Sequence, residues 1–317
     1  MEIFSSIQEL GKTFSKQPIA LSIGMFDGVH LGHKEVLSAT SQLALSLSGI
    51  SCALTFPMHP ASYLRPDKAP PLIMCPEEKA KLLLGSGIQA VVMREFDQSF
   101  SSIHADDFID FLKARIPSLF AVCVGRNFKF GKERTGDSQL LAKKGGNSGI
   151  KIEIIDSKIM DGQAISSSRI RIALSSGKID QVNEMLGRNY KIGGPVKIGK
   201  GIGRKFGFPT LNLDWDPESR PAYGVYSGFL YDESGHPRFP SVANYGLRPT
   251  VESGDSIPKL EIHALNDLNS EEWKPEKWVN MELCKFIRVE KKFESIDQLR
   301  EQISEDKQTA IQWFEGK

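Results

Sequence analysis

The feature that most constrains this chain is the segment 24–33, Gly-Met-Phe-Asp-Gly-Val-His-Leu-Gly-His. It follows an apolar run at 18–23 that predicts a buried strand, and it precedes a stretch at 34–47 with helical spacing of its apolar residues. A strand that turns through glycines into a helix presents unpaired backbone N–H groups, and the helix dipole favours an anion there. We therefore expect a phosphate site, to which His30 and His33 add side-chain donors, in a nucleotide enzyme of the α/β kind. A pair of core histidines is the structural alternative.

The rest of the first half alternates between apolar strand-like runs and helical patterns. Strands are predicted at 50–56, 88–93, 119–124 and 150–155, and helices at 76–84, 105–116, 138–144, 166–174 and 179–186. Strands that are apolar at consecutive positions are typical of a parallel sheet covered on both faces. We predict that residues 1–185 form one doubly wound α/β domain.

The pattern changes in the second half. Residues 191–207 hold six glycines and show no helical periodicity. Short strand-like runs follow at 224–231, 241–245, 259–264 and 279–288, before a helical pattern at 296–314. Such spacing predicts an antiparallel barrel or sandwich for residues 186–317.

Composition and charge exclude several classes of partner. A formal net charge of +1 gives no general attraction to nucleic acid or to an anionic membrane. No apolar run approaches the roughly 20 residues of a membrane span. The four cysteines form no C-x-x-C pair, which favours free thiols in a reducing compartment. We expect a cytoplasmic protein, a monomer or weak homo-oligomer, whose partners are small molecules and neither nucleic acid nor a membrane.

Two further segments of the first half belong near the glycine turn. Residues 125–132 follow a predicted strand, and residues 165–171 open a late helix. The serines at 166–168 are suited to capping that helix. Beside Arg169 and Arg171 they could equally cradle a phosphate, because a guanidinium group binds phosphate oxygens bidentately. Loops that follow parallel strands gather at one edge of the sheet, which favours a common nucleotide site.

In the second half, the glycine-rich stretch 199–207 leads to Thr210 and Asn212. A hydroxyl and an amide at this place could hold a divalent metal on nucleotide phosphates, although a plain hairpin is the alternative. Strand alternation puts Glu261 and His263 on one face of their run. Such a face is often simply solvated, but Glu261 could also act as a general base towards an alcohol.

Taken together, these segments resemble the bacterial bifunctional riboflavin kinase/FMN adenylyltransferase (FAD synthetase) family over nearly the whole chain. Residues 24–33 resemble its G-x-F-D-G-x-H-x-G-H motif, and residues 207–212 its G-F-P-T-x-N motif. Further resemblances lie at 127–131, 136–137, 165–171, 203–204, 221–226, 244–246, 248–250, 261–263 and 288–293. The departures are mild: Ser168 replaces the usual Thr, Leu211 the usual Ala and Met58 a common Pro.

The resemblance implies two reactions in two domains. An N-terminal Rossmann-like nucleotidyltransferase domain, residues 1–185, has a parallel sheet with helices on both faces. There the phosphate of FMN attacks the α-phosphorus of ATP and releases pyrophosphate. A C-terminal antiparallel β-barrel riboflavin kinase domain with a terminal helix, residues 186–317, transfers the γ-phosphoryl group of ATP to riboflavin. The implied cofactor is Mg²⁺, ATP is the co-substrate, and riboflavin, FMN and FAD are substrates and products.

The resemblance also implies roles for individual residues. Glu261 takes the proton of the riboflavin hydroxyl, and His30 and His33 stabilise negative charge in adenylyl transfer. ATP in the adenylyltransferase is bound by Gly24, Phe26, Asp27, Gly28, His30, His33, Ser167, Ser168 and Arg169. Its FMN side consists of His59, Asn127 and Phe128. The kinase nucleotide and flavin are bound by Gly201, Gly203, Gly207, Phe208, Pro209, Thr210, Asn212, Tyr226 and Arg288, of which Thr210 and Asn212 also position the metal.

Two other interpretations of the resemblance remain open. The chain could be a flavin- or nucleotide-binding regulator that keeps both folds without turnover, or an enzyme active in only one half. A regulator is expected to lack one of the charged groups, whereas His30, His33, Arg169 and Glu261 are all present. The active bifunctional enzyme is therefore favoured.

Overall fold

The computed structural model describes residues 2–198, 208–236, 238–249, 256–266 and 273–316, and for residues 248, 249, 256 and 257 it describes the backbone alone. The chain divides into two compact units, Met1–Ser167 and Ser168–Lys317. The division falls after the first residue of the earlier of two helices that we assigned to the first domain, and a functional boundary at residue 185 stays a prediction. No helix among the described residues is both long and apolar enough to cross a membrane.

The first unit is built on a six-stranded parallel sheet of order β1-β4-β3-β2-β5-β8. Its strands are β1 (Glu2–Phe4), β2 (Ile19–Ile23), β3 (Ile50–Thr55), β4 (Ala90–Met93), β5 (Leu119–Gly125), β6 (Lys129–Phe130), β7 (Gly136–Asp137), β8 (Lys151–Ile155), β9 (Ile159–Met160) and β10 (Gln163–Ala164). The pairs β6–β7 and β9–β10 form small antiparallel ribbons.

Along the chain, helices alternate with the strands of this sheet. They are α1 (Ile7–Thr13), α2 (Leu31–Ser46), α3 (Pro60–Leu64), α4 (Pro76–Gly85), α5 (Gln98–Ser101), α6 (Phe108–Arg115) and α7 (Ser138–Asn147), with 3-10 turns at Pro66–Lys68, Ala105–Asp107 and Lys132–Arg134. Every residue of β2 and β3 is buried, as expected of strands covered on both faces. The predicted parallel α/β architecture is therefore confirmed.

The strand order locates the ligand edge of this sheet. β2 lies between β3 and β5, and the chain passes from β2 to β3 on one side before it returns to β5 on the other. The crevice at such a switch point, beyond the carboxyl ends of the strands, is where open α/β sheets bind ligands. The segment 24–33 starts at the carboxyl end of β2 and leads into α2, so the fold puts it at this crevice.

The second unit contains a closed antiparallel barrel of order β11-β12-β15-β14-β13-β16. Its elements are α8 (Ser167–Ser175, whose first residue belongs to the first unit), α9 (Ile179–Leu186), β11 (Tyr190–Lys197), β12 (Leu211–Leu213), β13 (Gly224–Asp232), β14 (Phe239–Pro249), β15 (Ser256–Ala264), β16 (Trp278–Val289) and α10 (Ile296–Glu315). Of the two all-β architectures left open, the closed barrel is the one observed.

Several short elements were not predicted from the sequence, and β1, α1 and β11 are among them. β1 and α1 are short, and α1 starts with a capping box in which Ser6 and Glu9 bond each other's backbone N–H groups. β11 falls in the glycine-rich stretch, where Gly194 hides the alternation of buried residues. A Cβ at Gly194 would lie 2.3 Å from the carbonyl oxygen of Asp214. This glycine thus permits the close approach of another backbone segment within a regular barrel.

Gly11 makes a comparable close contact in the first unit. A Cβ there would lie 1.9 Å from the carbonyl oxygen of Arg115, at the end of α6, whereas no atom lies within 4 Å of a Cβ at Gly85. Gly11→Ala should therefore destabilise the first unit by about 1–3 kcal/mol through overpacking. Gly85→Ala, the matched helical control, should leave stability unchanged or raise it by up to about 1 kcal/mol.

Urea unfolding can assign the effect to one unit. All four tryptophans, at 215, 273, 278 and 313, lie in Ser168–Lys317, so their fluorescence follows the second unit, while far-UV circular dichroism follows both. Gly11→Ala should move the dichroism transition to lower urea and leave the fluorescence transition in place. A dichroism transition at the wild-type urea concentration would contradict the packing argument.

Candidate active sites

The turn after β2 has an unusual backbone. Phe26 and Val29 have φ angles of 50° and 38°, and Gly28 has a φ of 85°. Only glycine adopts positive φ without cost, and a non-glycine residue held there stores roughly 1–3 kcal/mol. Such strain persists only where surrounding bonds enforce it, and it is commonest at functional sites. The observation supports a ligand-binding role for the segment 24–33.

Buried polar groups hold this turn in place. The backbone N–H of Ile73 donates to both carboxylate oxygens of Asp27, at 3.0 and 3.2 Å. The hydroxyl of Ser167 donates to the Asp27 carbonyl oxygen at 2.8 Å, and that of Thr55 to the Met25 carbonyl oxygen at 2.9 Å. Asp27 is 1% exposed. Its carboxylate thus organises the turn through Ile73, and direct contact of Asp27 with ATP stays a prediction.

The two histidines of the segment stack at the start of α2. His30 occupies the N-cap position, and its Nδ1 accepts a hydrogen bond from the backbone N–H of His33 at 3.2 Å. The imidazole rings lie 3.6 Å apart at 15°, and the ring of His33 meets the edge of Phe26 at 5.3 Å. The pair therefore forms one rigid unit at the positive end of the helix, which suits a phosphate ligand.

The environment of His33 disfavours its charged form. Burial, the neighbouring His30 and the ammonium group of Lys79 together hold the pKa of His33 well below its usual 6.5. Nδ1 of His33 is buried and makes no hydrogen bond within the described part of the chain. A neutral imidazole carries one donor and one acceptor nitrogen. At neutral pH His33 can therefore donate to a ligand through one nitrogen.

The serine run meets this turn through Ser167, whose hydroxyl bonds Asp27 as described. This contact brings two of the three predicted segments together. Gly24 and Gly28 lie in the turn itself. Ser168 and Arg169 belong to the second unit, and their contacts with ATP stay predictions.

The residues predicted on the FMN side follow the two strands that flank β2. His59 comes shortly after β3 and caps α3, where its Nδ1 accepts from the backbone N–H of Ala61 at 3.1 Å. Asn127 is exposed in the loop after β5, and Phe128 stacks on Phe130 with ring centroids 5.6 Å apart. Because β3 and β5 are parallel neighbours of β2, these loops begin at the same edge of the sheet as the turn after β2.

A group of aromatic rings in this unit was missed at the level of sequence. The rings of Phe56, Phe96 and Phe100 contact one another with centroids 5.4–5.7 Å apart, and Tyr63 of α3 meets Phe96 at 6.2 Å. Phe56 follows β3 directly. The high density of phenylalanine between 96 and 130 was the signal in the sequence. Aromatic rings stack well on flat conjugated ligands.

In the second unit, Glu261 lies in a polar row across three strands. It pairs with Asn212 of β12 on one side and with Asn244 of β14 on the other. Directly opposite residues have Cβ atoms about 5 Å apart and share a face of the sheet. Leu260 and Ile262 are buried on the opposite face, so the predicted alternation of this strand is correct. Asn244 is a site candidate that we did not assign from the sequence.

His263 connects this row to the segment that enters β12. Its Nδ1 lies 2.8 Å from the carbonyl oxygen of Pro209, and its ring meets the edge of Phe208 at 5.7 Å. Burial lowers the pKa of His263, and the Pro209 carbonyl opposes this effect. The contact fixes the stretch just before Thr210 beside β15. Thr210 directly precedes β12, so strand alternation extended by one residue would put Thr210 on the face that carries Asn212.

The donor atoms of this face suit magnesium. Thr210 supplies a hydroxyl and Asn212 an amide oxygen, and Mg²⁺ prefers oxygen ligands together with water and substrate phosphates. Among the described residues there is no group of three or more His, Cys, Asp or Glu side chains able to hold a metal. Water and substrate phosphates are the further ligands that a magnesium ion on this face would take.

Tyr226 and Arg288, both predicted to bind in the kinase, have partners inside the unit. Tyr226 is 1% exposed and its hydroxyl donates to the Ala222 carbonyl oxygen at 2.6 Å. The guanidinium group of Arg288 binds the carboxylate of Asp306 bidentately at 2.8 Å and thereby joins β16 to α10. Their ligand contacts stay predictions. Gly201, Gly203 and Gly207 lie outside the described residues.

Comparison with known proteins matches both units. Residues 12–169 match the family model for FAD synthetase, and residues 186–314 match that for riboflavin kinase. The bifunctional riboflavin kinase/FMN adenylyltransferase of Haemophilus influenzae is 35% identical over 94% of this chain and 95% of its own. This chain belongs to the bifunctional riboflavin kinase/FMN adenylyltransferase family. Family members from Escherichia coli K12 and Bacillus subtilis are 32% and 33% identical, over 99% and 93% of this chain and 98% and 92% of their own.

A solved structure resembles the whole fold. A chain from Streptococcus pneumoniae, described as a macrolide-efflux protein, matches with a TM-score of 0.84 and 24% identity over 98% of both chains. At this level of identity the likeness concerns the fold. It supports the arrangement of an α/β unit followed by a β-barrel within one chain.

The lowered pKa of His33 predicts a pH dependence of stability. The folded state binds a proton at His33 only well below pH 6.5, whereas the unfolded chain binds one near 6.5. The unfolded state thus takes up more protons as pH falls through this range, and the first unit should lose stability between about pH 7 and 5. His33→Gln should weaken this dependence.

Nuclear magnetic resonance of the imidazole protons checks this prediction. The resonance missing from His33→Gln assigns His33, and its titration midpoint should lie well below 6.5. Urea unfolding followed by circular dichroism at about pH 7 and about pH 5 gives the accompanying change in the free energy of unfolding. A midpoint at or above 6.5 would show that the site does not keep His33 neutral.

Proposed function

We propose that this chain converts riboflavin to FMN at the barrel face that carries Glu261, and FMN to FAD at the turn that carries His30 and His33. Both reactions consume ATP. Family membership over nearly the full chain supports the two activities. The observation that carries the assignment of sites is the stacked pair of imidazoles on a strained turn at the switch point of the sheet, 3.6 Å apart.

In adenylyl transfer, a phosphate oxygen of FMN attacks the α-phosphorus of ATP. A new P–O bond forms, the bond to the β,γ-phosphates breaks, and pyrophosphate leaves. Backbone N–H groups of the turn and the start of α2 bind the triphosphate. His30 and His33 donate hydrogen bonds to the oxygens that gain charge in the transition state. Preorganised donors of this kind stabilise such charge without further rearrangement.

On the FMN side, His59, Asn127 and Phe128 surround the flavin, and the rings of Phe56 and Phe96 supply an apolar wall. A flat isoalloxazine ring gains dispersion and stacking contacts on such a surface. The polar groups at His59 and Asn127 then fix its orientation. Ser168 and Arg169 complete the contacts with the triphosphate.

In phosphoryl transfer, the 5′-hydroxyl of riboflavin attacks the γ-phosphorus of ATP. Glu261 accepts the hydroxyl proton, the bond to the β-phosphate oxygen breaks, and ADP leaves. Thr210 and Asn212 hold Mg²⁺, which when bound neutralises charge on the phosphates. Asn212 and Asn244, on either side of Glu261 in the barrel, orient the carboxylate. Reactions of this kind depend mainly on positioning and charge.

The partners proposed for this chain are ATP, riboflavin and FMN. A cytoplasmic location, the monomeric or weakly oligomeric state, and the lack of nucleic-acid and membrane partners follow from the sequence arguments and stay predictions.

Product formation tests the two activities and separates them. With riboflavin, ATP and Mg²⁺, chromatography should show FMN first and FAD later. Glu261→Gln, which keeps the size of the side chain but cannot accept the proton, should slow FMN formation at least about 100-fold. It should leave the conversion of supplied FMN to FAD unchanged, because the histidine site lies in the other unit.

His30→Asn and His33→Asn serve as the reciprocal controls. Both should slow FAD formation from FMN and leave FMN formation from riboflavin intact. Neither product from the wild type would refute the proposed function. One product alone would identify an enzyme with a single active half, and equal losses of both reactions in Glu261→Gln would refute the assignment of this residue.

The magnesium role of Thr210 makes a separate prediction. Thr210→Ala should raise the Mg²⁺ concentration for half-maximal FMN formation about 10-fold or more, because an oxygen ligand is lost. Thr309→Ala, on α10, is the matched control and should leave this value unchanged. The measurement is a Mg²⁺ titration of both reactions at fixed ATP. An unchanged Mg²⁺ requirement in Thr210→Ala would exclude Thr210 as a metal ligand.

A further inference from the structure

Lys79 is a buried lysine that the proposed mechanism does not use. It lies on α4, which also buries Ala80 and Leu83, and its side chain is 1% exposed. Removing an ammonium group from water is costly unless hydrogen bonds replace the lost hydration. A fully buried lysine next to a binding site is therefore a strong candidate for a functional role.

The ammonium group of Lys79 bonds the backbone at two separate strand ends. Nζ donates to the carbonyl oxygen of Met25 at 3.2 Å, and it also donates to the carbonyl oxygen of Phe56. Met25 lies in the turn after β2, and Phe56 directly follows β3. β2 and β3 are parallel neighbours in the sheet. Lys79 thus ties together the carboxyl ends of two central strands, at the edge where the phosphate turn begins.

Two hydrogen bonds hold the carbonyl group of Met25 at the start of the turn. It accepts from Lys79 and also from the hydroxyl of Thr55 at 2.9 Å. The next residue, Phe26, has a φ of 50°, and Val29 a φ of 38°. Backbone angles of this kind persist when surrounding contacts over-determine them. Loss of the ammonium group would remove one of the two contacts at the start of the strained segment.

The charge of Lys79 also reaches the histidine site. Its ammonium group is one cause of the low pKa of His33, after burial and His30. Burial lowers the pKa of Lys79 itself to about 8, while the carboxylate of Asp27 opposes this effect. The titratable groups that interact with the charge of Lys79 therefore include Asp27 in the turn and His33 of α2.

We propose that Lys79 is a positioning residue for adenylyl transfer, which holds the turn 25–29 in its phosphate-binding conformation by bonding the carbonyl groups of Met25 and Phe56. This inference rests on the adenylyl transfer proposed above. Lys79 does not contact the reacting atoms and acts through the backbone of the turn and through His33.

Lys79→Met tests the role, since methionine keeps a long unbranched side chain without the ammonium group. The turnover number for FAD formation from FMN should fall about 100-fold, as misplacement of a site by about 1 Å can produce. FMN formation from riboflavin, measured in the same preparation, should be unchanged. The matched control is Lys81→Met, since Lys81 is an exposed lysine on the same helix, and both reactions should proceed at wild-type rates.

A pH profile separates positioning by charge from a purely structural effect. In the wild type, the turnover number for FAD formation should fall above about pH 8, as Lys79 loses its proton. In Lys79→Met the residual rate should lack this alkaline fall. If Lys79→Met keeps the wild-type turnover number or the same alkaline fall, the proposal is overturned. Absence of FAD formation in the wild type would instead refute the proposed function.

Thr55→Val keeps the test decisive should Lys79→Met fail to fold, as judged by circular dichroism. Valine matches threonine in shape but cannot donate to the Met25 carbonyl oxygen. The turnover number of Thr55→Val for FAD formation should fall several-fold, whereas FMN formation from riboflavin should be unchanged. An unaltered turnover number in Thr55→Val would show that the Met25 carbonyl does not control the site, and would overturn the proposal.

Discussion

The strained turn at the end of β2 is the constraint on which the proposed adenylyltransferase site depends. Positive φ angles at Phe26 and Val29 are unfavourable in isolation, so this backbone must be enforced by the fold. Ile73, Thr55, Ser167 and Lys79 supply that enforcement, because they donate hydrogen bonds to Met25 and Asp27 from four other parts of the unit. The parallel sheet is what brings those parts to one edge. The site is therefore a product of tertiary structure as much as of its own motif.

The proposed kinase site depends on a different physical principle. Its polar row, Asn212, Glu261 and Asn244, lies on regular antiparallel strands whose other face is the barrel core. Strand alternation alone orients these side chains, and no unusual backbone is needed among the described residues of the row. His263 then fixes the entering segment through the Pro209 carbonyl. Of the two proposed sites, one is thus built on a strained turn and the other on an unstrained sheet.

Sequence reasoning succeeded where the signal is local. The consecutive apolar residues of β2 and β3 predicted a covered parallel sheet, and alternation around Glu261 predicted its face. It missed β11, because Gly194 occupies a core-facing position where a side chain would normally mark the pattern. The sequence also gave no reason to select Lys79. Lys79 and Lys81 lie two residues apart in one predicted helix, and nothing in the sequence distinguishes the buried lysine from the exposed one. The contact between Phe56 and Phe96 was not predicted either, because the two residues come from different loops.

By itself the sequence determined the fold class, the order of strands and helices, and the motif residues, because each depends on spacing within a short segment. Only the tertiary structure decided what those residues face. It showed that the carboxylate of Asp27 turns towards the Ile73 backbone, that Arg288 is joined to Asp306, and that a buried ammonium group ties β2 to β3. These contacts join residues from 18 to 54 positions apart. Spacing along the chain cannot specify them, because burial and hydrogen-bond partners are set only when the sheet assembles.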